Sequence, residues 1–176
     1  DSLQLTKCKI TSTAGTFTFN KGGSTGTNSI LDLSGTKLKL KEDLSAQNGT
    51  LTTNNNSILH LLDNVTVTYN GEKTFKALEL NGKVLTLGSA STDLKVLDAL
   101  TLSSNTLKTG DADLTLAVTL NTNSLIDSTG GTLKISGTVD NSSEIAIPGT
   151  GLALSDDLAI AGTLTTGANS TITRNN

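Results

Sequence analysis

This 176-residue sequence predicts an all-β fold, and within that class a parallel β-solenoid of short strands with about 20–25 residues per coil. Three observations carry the prediction. Apolar and polar residues alternate in short bursts. An Asn-Ser/Thr-aliphatic phrase recurs along the chain. Aromatic residues are nearly absent, with no Trp, one Tyr and three Phe, so the interior must be filled by aliphatic rows.

The bursts read as strands because successive side chains on a strand point to opposite faces, which buries one set and wets the other. Leu3-Gln4-Leu5 and Phe17-Thr18-Phe19 come first. Residues 1–27 hold the pattern weakly and are expected to form an N-terminal cap or an irregular first coil, with the solenoid repeats over 28–176. Leu31-Asp32-Leu33 and Leu38-Lys39-Leu40 follow, then Ile58-Leu59-His60-Leu61 and Val65-Thr66-Val67. Leu78-Glu79-Leu80, Leu85-Thr86-Leu87 and Leu100-Thr101-Leu102 continue the series, and Leu114-Thr115-Leu116, Leu133-Lys134-Ile135 and Ile145-Ala146-Ile147 extend it. Ser-Gly-Thr, Asn-Gly, Gly-Gly and Asn-Asn clusters between them supply turns. No stretch sustains helical spacing, and only a short turn is expected near Ser91 to Leu97.

The recurring phrase appears as Asn28-Ser29-Ile30, Asn56-Ser57-Ile58, Asn105-Thr106-Leu107 and Asn123-Ser124-Leu125, with a further copy at Asn169-Ser170. In the first four an alternating strand begins nine or ten residues after the Asn. The mean unit is about 23 residues once the long gaps are divided, which gives about seven or eight coils and a rod of nearly 40 Å. Asn tolerates the left-handed backbone and bonds its side chain to nearby backbone, so Asn28, Asn56, Asn105, Asn123 and Asn169 are read as structural corner residues.

An antiparallel β-sandwich is the alternative. Asn70-Gly71 and Asn81-Gly82 each separate two alternating runs, a strong hairpin signal, so the repeat is expected to be interrupted by hairpins around residues 64–90.

Composition narrows the function. A net charge of −3 supplies no basic field for nucleic acid or an anionic membrane, and no apolar run is long enough to insert in a bilayer. The single Cys8 allows no internal disulfide, and the Thr/Ser/Asn/Gly bias favours an exported chain. His60 is the only histidine, which weighs against a His-rich metal cage or a Ser-His-Asp site and places it on a wet strand face. Asp111 with Asp113, Asp156-Asp157 and Glu42-Asp43 read as solvated turn acids, with calcium ligation the sharper reading for the first two pairs. Gly22-Gly23-Ser24-Thr25-Gly26 lacks the ending of a phosphate loop and reads as a flexible loop, while Lys37, Lys39 and Lys41 keep a strand face wet. No catalytic residue, metal or cofactor is called for.

The phrases "GTNSILDLSGTKLKL", "NTNSLIDSTGGTLKISGTVDNSSEIAI" and "IAGTLTTGANSTI" resemble the repeats of bacterial surface β-helix proteins, the autotransporter passenger and filamentous-haemagglutinin class of adhesins. The resemblance is strongest over 28–63 and 98–173 and rests on texture, not on a signature motif. It implies a right-handed parallel β-helix, an extracellular or cell-surface location on a bacterium, and a non-enzymatic role as adhesin or stalk. A self-assembling fibre or surface-layer subunit is the alternative, and a β-helix polysaccharide lyase or hydrolase stands third. The implied partners are a surface glycan, a protein receptor or copies of the chain itself.

Overall fold

A computed structural model describes residues 2–89, 92–121, 123–147, 151–168 and 170–174. Every burst named above lies in a strand or runs into one, and no helix occurs among the described residues. The chain winds as β1 (Leu3–Leu5), β2 (Lys9–Thr11) and β3 (Thr16–Phe19), then β4 (Gly23–Thr25), β5 (Ile30–Asp32) and β6 (Lys37–Leu40). Next come β7 (Leu44–Ala46), β8 (Thr50–Thr52) and β9 (Ile58–Leu61), then β10 (Val65–Tyr69), β11 (Lys73–Phe75) and β12 (Ala77–Glu79). A fifth coil holds β13 (Val84–Leu87), β14 (Leu94–Val96) and β15 (Leu100–Ser103).

From there the second and third strands of each coil fuse into one long strand. The pairs are β16 (Thr106–Gly110) with β17 (Leu114–Asn121), β18 (Leu125–Ser128) with β19 (Thr132–Val139), and β20 (Glu144–Ile147) with β21 (Gly151–Ile160). β22 (Thr163–Thr166) and β23 (Thr171–Arg174) end the described chain.

All pairings are parallel, each between one coil and the next. The molecule is therefore a β-solenoid of about eight turns. One side is a continuous nine-stranded sheet, β1-β4-β7-β10-β13-β16-β18-β20-β22. Its register sets the coil length: Leu3 lies opposite Gly23, Leu44 opposite Val67 and Glu144 opposite Thr163, offsets of 20, 23 and 19 residues. The coils are thus shorter on average than the 23 residues expected from the Asn spacing.

Residues 3–19 form three strands that each pair with the coil that follows, so they make a regular coil of the solenoid. Among the described residues the hairpins expected around 64–90 do not form. Asn70-Gly71 and Asn81-Gly82 turn coil corners, with positive φ at Gly71, Asn81 and Gly82. The strands on either side of each corner belong to different sheets. A positive-φ pair reverses a chain only when the two flanking runs also pair with each other, and here each run finds its partner one coil away. The irregularity in this region is instead a change of sheet. The side formed by β2-β5-β8 ends, and a new sheet starts at β11.

Inside, equivalent residues stack coil upon coil. Val65, Leu85, Leu107, Ile126 and Ile145 form one buried column; Leu38, Leu59 and Leu78 form another, which the partly buried Phe17 extends. Burying such side chains contributes about 1.5–3 kcal/mol each. Tyr69, the only tyrosine, is 1% exposed and donates its hydroxyl to the Asp93 carbonyl at 3.1 Å. Burial, with Asp93 and Glu72 nearby, holds its phenol protonated far above the ordinary range. The glycine-rich segment 22–26 is not a loop, since Gly23–Thr25 is strand β4. A Cβ on Gly23 would sit 2.5 Å from the Phe19 ring, so the glycine makes room for an aromatic ring of the coil below. The region near 91–97 holds strand β14 in place of the expected turn, and Ser91 lies outside the described residues.

Corners are closed by hydroxyls. Ser29 Oγ donates to the Leu5 carbonyl (3.0 Å), Thr36 Oγ1 to that of Ser12 (2.6 Å), Ser57 Oγ to that of Leu33 (3.0 Å) and Thr92 Oγ1 to that of Tyr69 (3.0 Å). The offsets are 23 or 24 residues, one coil back. Each of these hydroxyl residues is buried. Ser57 Oγ also accepts from Gly35 N–H at 3.2 Å, and Thr92 Oγ1 from Tyr69 N–H at 3.3 Å. Where the backbone turns away from the strand ladder, a side chain thus supplies the missing donor and acceptor. Ser57→Ala is expected to destabilise the chain by about 1–3 kcal/mol, because it removes the hydroxyl that donates to the Leu33 carbonyl and accepts from the Gly35 and Asn54 N–H groups. Urea denaturation read against an exposed control, Ser45→Ala, checks this.

Candidate functional site

The described side chains converge most closely on the outer face of the four-stranded sheet β12-β9-β6-β3. Parallel register places Lys39, His60 and Glu79 in one outward column, since Lys39 lies opposite His60 and His60 opposite Glu79. Lys37, two residues back on β6, reaches across the Ile58 position. Its Nζ contacts Glu79 Oε1 at 2.8 Å and Oε2 at 2.9 Å. His60 Nδ1 hydrogen-bonds Glu79 Oε2. Asn81 Nδ2 lies 3.3 Å from His60 Nε2. An amide nitrogen only donates, so where Asn81 bonds to the ring Nε2 accepts and Nδ1 donates its N–H to the Glu79 carboxylate. Asn81 Nδ2 also approaches the Leu61 carbonyl at 3.1 Å, which ties the corner to the coil below.

This cluster straps three successive coils. Glu79 shares its carboxylate between a lysine and a histidine, and these hydrogen bonds hold its pKa below the ordinary glutamate value. A depressed folded-state pKa means the contribution to stability is present above the unfolded value and is lost as pH falls through the folded one. The stability difference between the wild type and Glu79→Gln is therefore expected at neutral pH, to shrink as pH drops below the ordinary glutamate pKa and to vanish below the depressed folded-state one. Melting curves of both proteins across that range check the sign. Glu79 is partly exposed, so solvent screening keeps the effect small.

Of the asparagines predicted as corners, Asn28, Asn56, Asn105 and Asn123 lie between strands, but not at one common corner. Asn28 (φ 61°) and Asn123 (φ 58°) adopt the left-handed conformation; Asn56 and Asn105 do not. Asn28 follows the first strand of its coil, Asn56 the second, while Asn105 and Asn123 precede the first strand of the next. Asn105 is buried, accepts from Gly82 N–H at 2.6 Å and donates to the Ser103 carbonyl at 2.9 Å. Asn169 lies outside the described residues. What the phrases at 28, 56 and 123 share is the buried serine after the asparagine, Ser29, Ser57 and Ser124.

A second set of residues went unrecognised in the sequence. Asp43, Asn64, Asp93 and Asp113 each stand immediately before a strand, and each takes a backbone N–H from the next coil. The bonds are Thr66 N to Asp43 at 2.6 Å, Val84 N to Asn64 at 2.9 Å, Asp113 N to Asp93 at 2.9 Å and Thr132 N to Asp113 at 2.7 Å. The signal was legible as Asp or Asn directly ahead of an alternating run. Asp113, a candidate calcium ligand by sequence, is thus engaged with backbone, and Asp111 accepts from Thr129 Oγ1 at 3.4 Å. The side chains of Asp156 and Asp157 lie outside the described part of the structure. Among the described residues no group of three or more His, Cys, Asp or Glu is placed to hold a metal ion. Cys8 is exposed at the first corner. Lys41, Glu42, Asp43, Asp63 and Asn64 border an open depression of about 340 Å³. No family model, curated protein or solved structure matches this chain.

Proposed function

We propose that this chain is a non-enzymatic rod module of an extracellular or cell-surface protein of bacterial type, an adhesin or stalk element that carries binding surface away from its anchor. The observation that carries the reading is the nine-stranded sheet that runs unbroken from the first described strand to β22. At about 4.8 Å per strand, eight turns give a rod of nearly 40 Å, and the buried hydroxyls make its corners as continuous as its sides. Among the described residues the Lys37–Glu79 ion pair, with the hydrogen-bonded His60, satisfies its own charges and fastens neighbouring coils together. The exposed Asn20-Lys21 and Gly71-Glu72 corners offer polar surface to a glycan or protein ligand.

Two assays on the purified chain test the reading. Incubation with plant and bacterial polysaccharides, polyuronates included, is expected to release neither reducing nor unsaturated ends. Release that depends on this chain overturns it. Binding of the labelled chain to arrayed surface glycans, lost on substitution at Lys21 or Glu72, identifies an adhesin; absence of binding to glycans and cell surfaces leaves the stalk role.

A further inference from the structure

We propose that residues 70–82 form a clasped flap in the flank of the solenoid, which opens as a unit while the coils on either side stay folded. This holds for any function of the rod and is tested by a different measurement.

Strand pairing is thinner here than in the coils around it. The coils from β1 to β9, and those from β13 to β21, are joined to one another by ladders on all three sides. In the coil between them only β10 is paired on both edges, with β7 and β13. Among the described residues β11 pairs only with β14 of the following coil, and β12 only with β9 of the preceding one. Each of these ladders holds three residue pairs, whereas β17 is paired over seven with β19 and meets β14 and β15 along its other edge.

The cause is a shorter path. Ala46 and Ile58 are 12 positions apart, but their register partners Tyr69 and Ala77 are only 8 apart. The second side therefore cannot continue on β8 and restarts at β11.

Side chains fasten what the ladders leave open. At the near end Asn70 Nδ2 donates to the Gln47 carbonyl at 2.7 Å. At the far end Glu79 is held by Lys37 and His60 of the two preceding coils, and Asn81 Nδ2 reaches the Leu61 carbonyl at 3.1 Å. Gly82 N–H donates to Asn105 Oδ1 at 2.6 Å. Between these fastenings Phe75 and Leu78 are buried, which keeps the flap shut at rest. Its corners have room to swing: Gly71 and Gly82 have positive φ, and a Cβ at either would meet at most the Lys73 ammonium, at 4.0 Å.

Segments held by few backbone hydrogen bonds open at lower free energy than the whole molecule. Opening here breaks the bonds from Lys73 N–H to the Asp93 carbonyl (2.9 Å) and from Lys76 N–H to the Ser57 carbonyl (2.7 Å). It also takes away the Phe75 and Lys76 carbonyls, which accept from Leu97 and Asp98 N–H at 3.1 and 2.8 Å. Leu97 and Asp98 lie outside the flap, yet their amides must exchange with it. Leu94, three residues before Leu97, donates to the Asp113 carbonyl of the following coil at 2.9 Å and must not.

Native-state hydrogen exchange on the full chain, read residue by residue by nuclear magnetic resonance, is the test. Protection at Lys73, Lys76, Leu97 and Asp98 is expected to be lower by at least about tenfold than at Leu94 and at Leu125, whose N–H bonds to the Asn105 carbonyl. Glu79→Ala undoes the clasp and is expected to lower protection at the four reporters further, by up to about fivefold, with Leu94 and Leu125 unchanged. Equal protection at reporters and controls overturns the proposal. So does low protection at Lys73 and Lys76 with full protection at Leu97 and Asp98, which denies opening as a unit. A Glu79→Ala variant that loses protection equally at reporters and controls overturns the clasp.

Discussion

Gly137→Ala is expected to lower stability by more than about 3 kcal/mol. Gly137 has φ +121°, a conformation that L side chains rarely adopt, and a Cβ placed there would lie 1.8 Å from the Val118 carbonyl oxygen and 2.8 Å from its carbon. Both are backbone atoms of the coil below, locked in the β17–β19 ladder, so they cannot rotate aside as a flexible side chain would. The glycine lies where the β19–β21 register shifts, between Ile135 and Gly137, as the fused strand bends from the second side to the third. Gly82→Ala is the control. Its φ is +75° but a Cβ there meets nothing within 4 Å, so only the left-handed strain of about 1–2 kcal/mol applies. Urea denaturation of the two variants separates these costs. Similar losses at both positions would refute the close approach of β17 and β19 at Val118.

Leu107→Ala is the second large effect, expected at about 2–5 kcal/mol. Leu107 is fully buried and sits in register between Leu85 and Ile126, so its removal leaves a void bounded by the coils on both sides. Coils are held by their neighbours alone, so a gap in one layer weakens both interfaces. Lys108, the next residue, points outward and is exposed, and Lys108→Ala is expected to change stability by less than about 0.5 kcal/mol. Equal losses at 107 and 108 would contradict the alternation on which the interior columns rest.

The side-facing pattern was legible because period-two alternation survives any assignment of corners. Leu38-Lys39-Leu40 buries both leucines in the structure, as the sequence required. Coil length was less legible. The Asn-Ser phrases were read as one corner per turn, whereas they fall at three different corners of the coil, so distances between them mix whole turns with fractions of a turn. The part of the phrase that recurs for a physical reason is the hydroxyl, as Ser29 and Ser57 show, since it bonds across the bend to a carbonyl of the coil below. Asn-Gly misled for a related reason. Positive φ suits a hairpin and a solenoid corner equally, and only the partner of the flanking strand decides between them. The Lys37–Glu79–His60 strap was out of reach of the sequence, because it joins residues 42 and 19 positions apart that only the coil register brings together.

The central claim is that consecutive coils pair in parallel, and backbone amide contacts measured by nuclear magnetic resonance test it most directly. In a parallel solenoid, contacting residues keep a constant difference in number as one moves along a strand: Thr115 meets Lys134, Leu116 meets Ile135 and Leu120 meets Val139, each 19 apart. Short interstrand contacts of this kind, with offsets of about 20 repeated through the chain, are the expected result. Contacts in which one number rises as the other falls, centred on Asn70-Gly71 or Asn81-Gly82, would show antiparallel hairpins and contradict the solenoid.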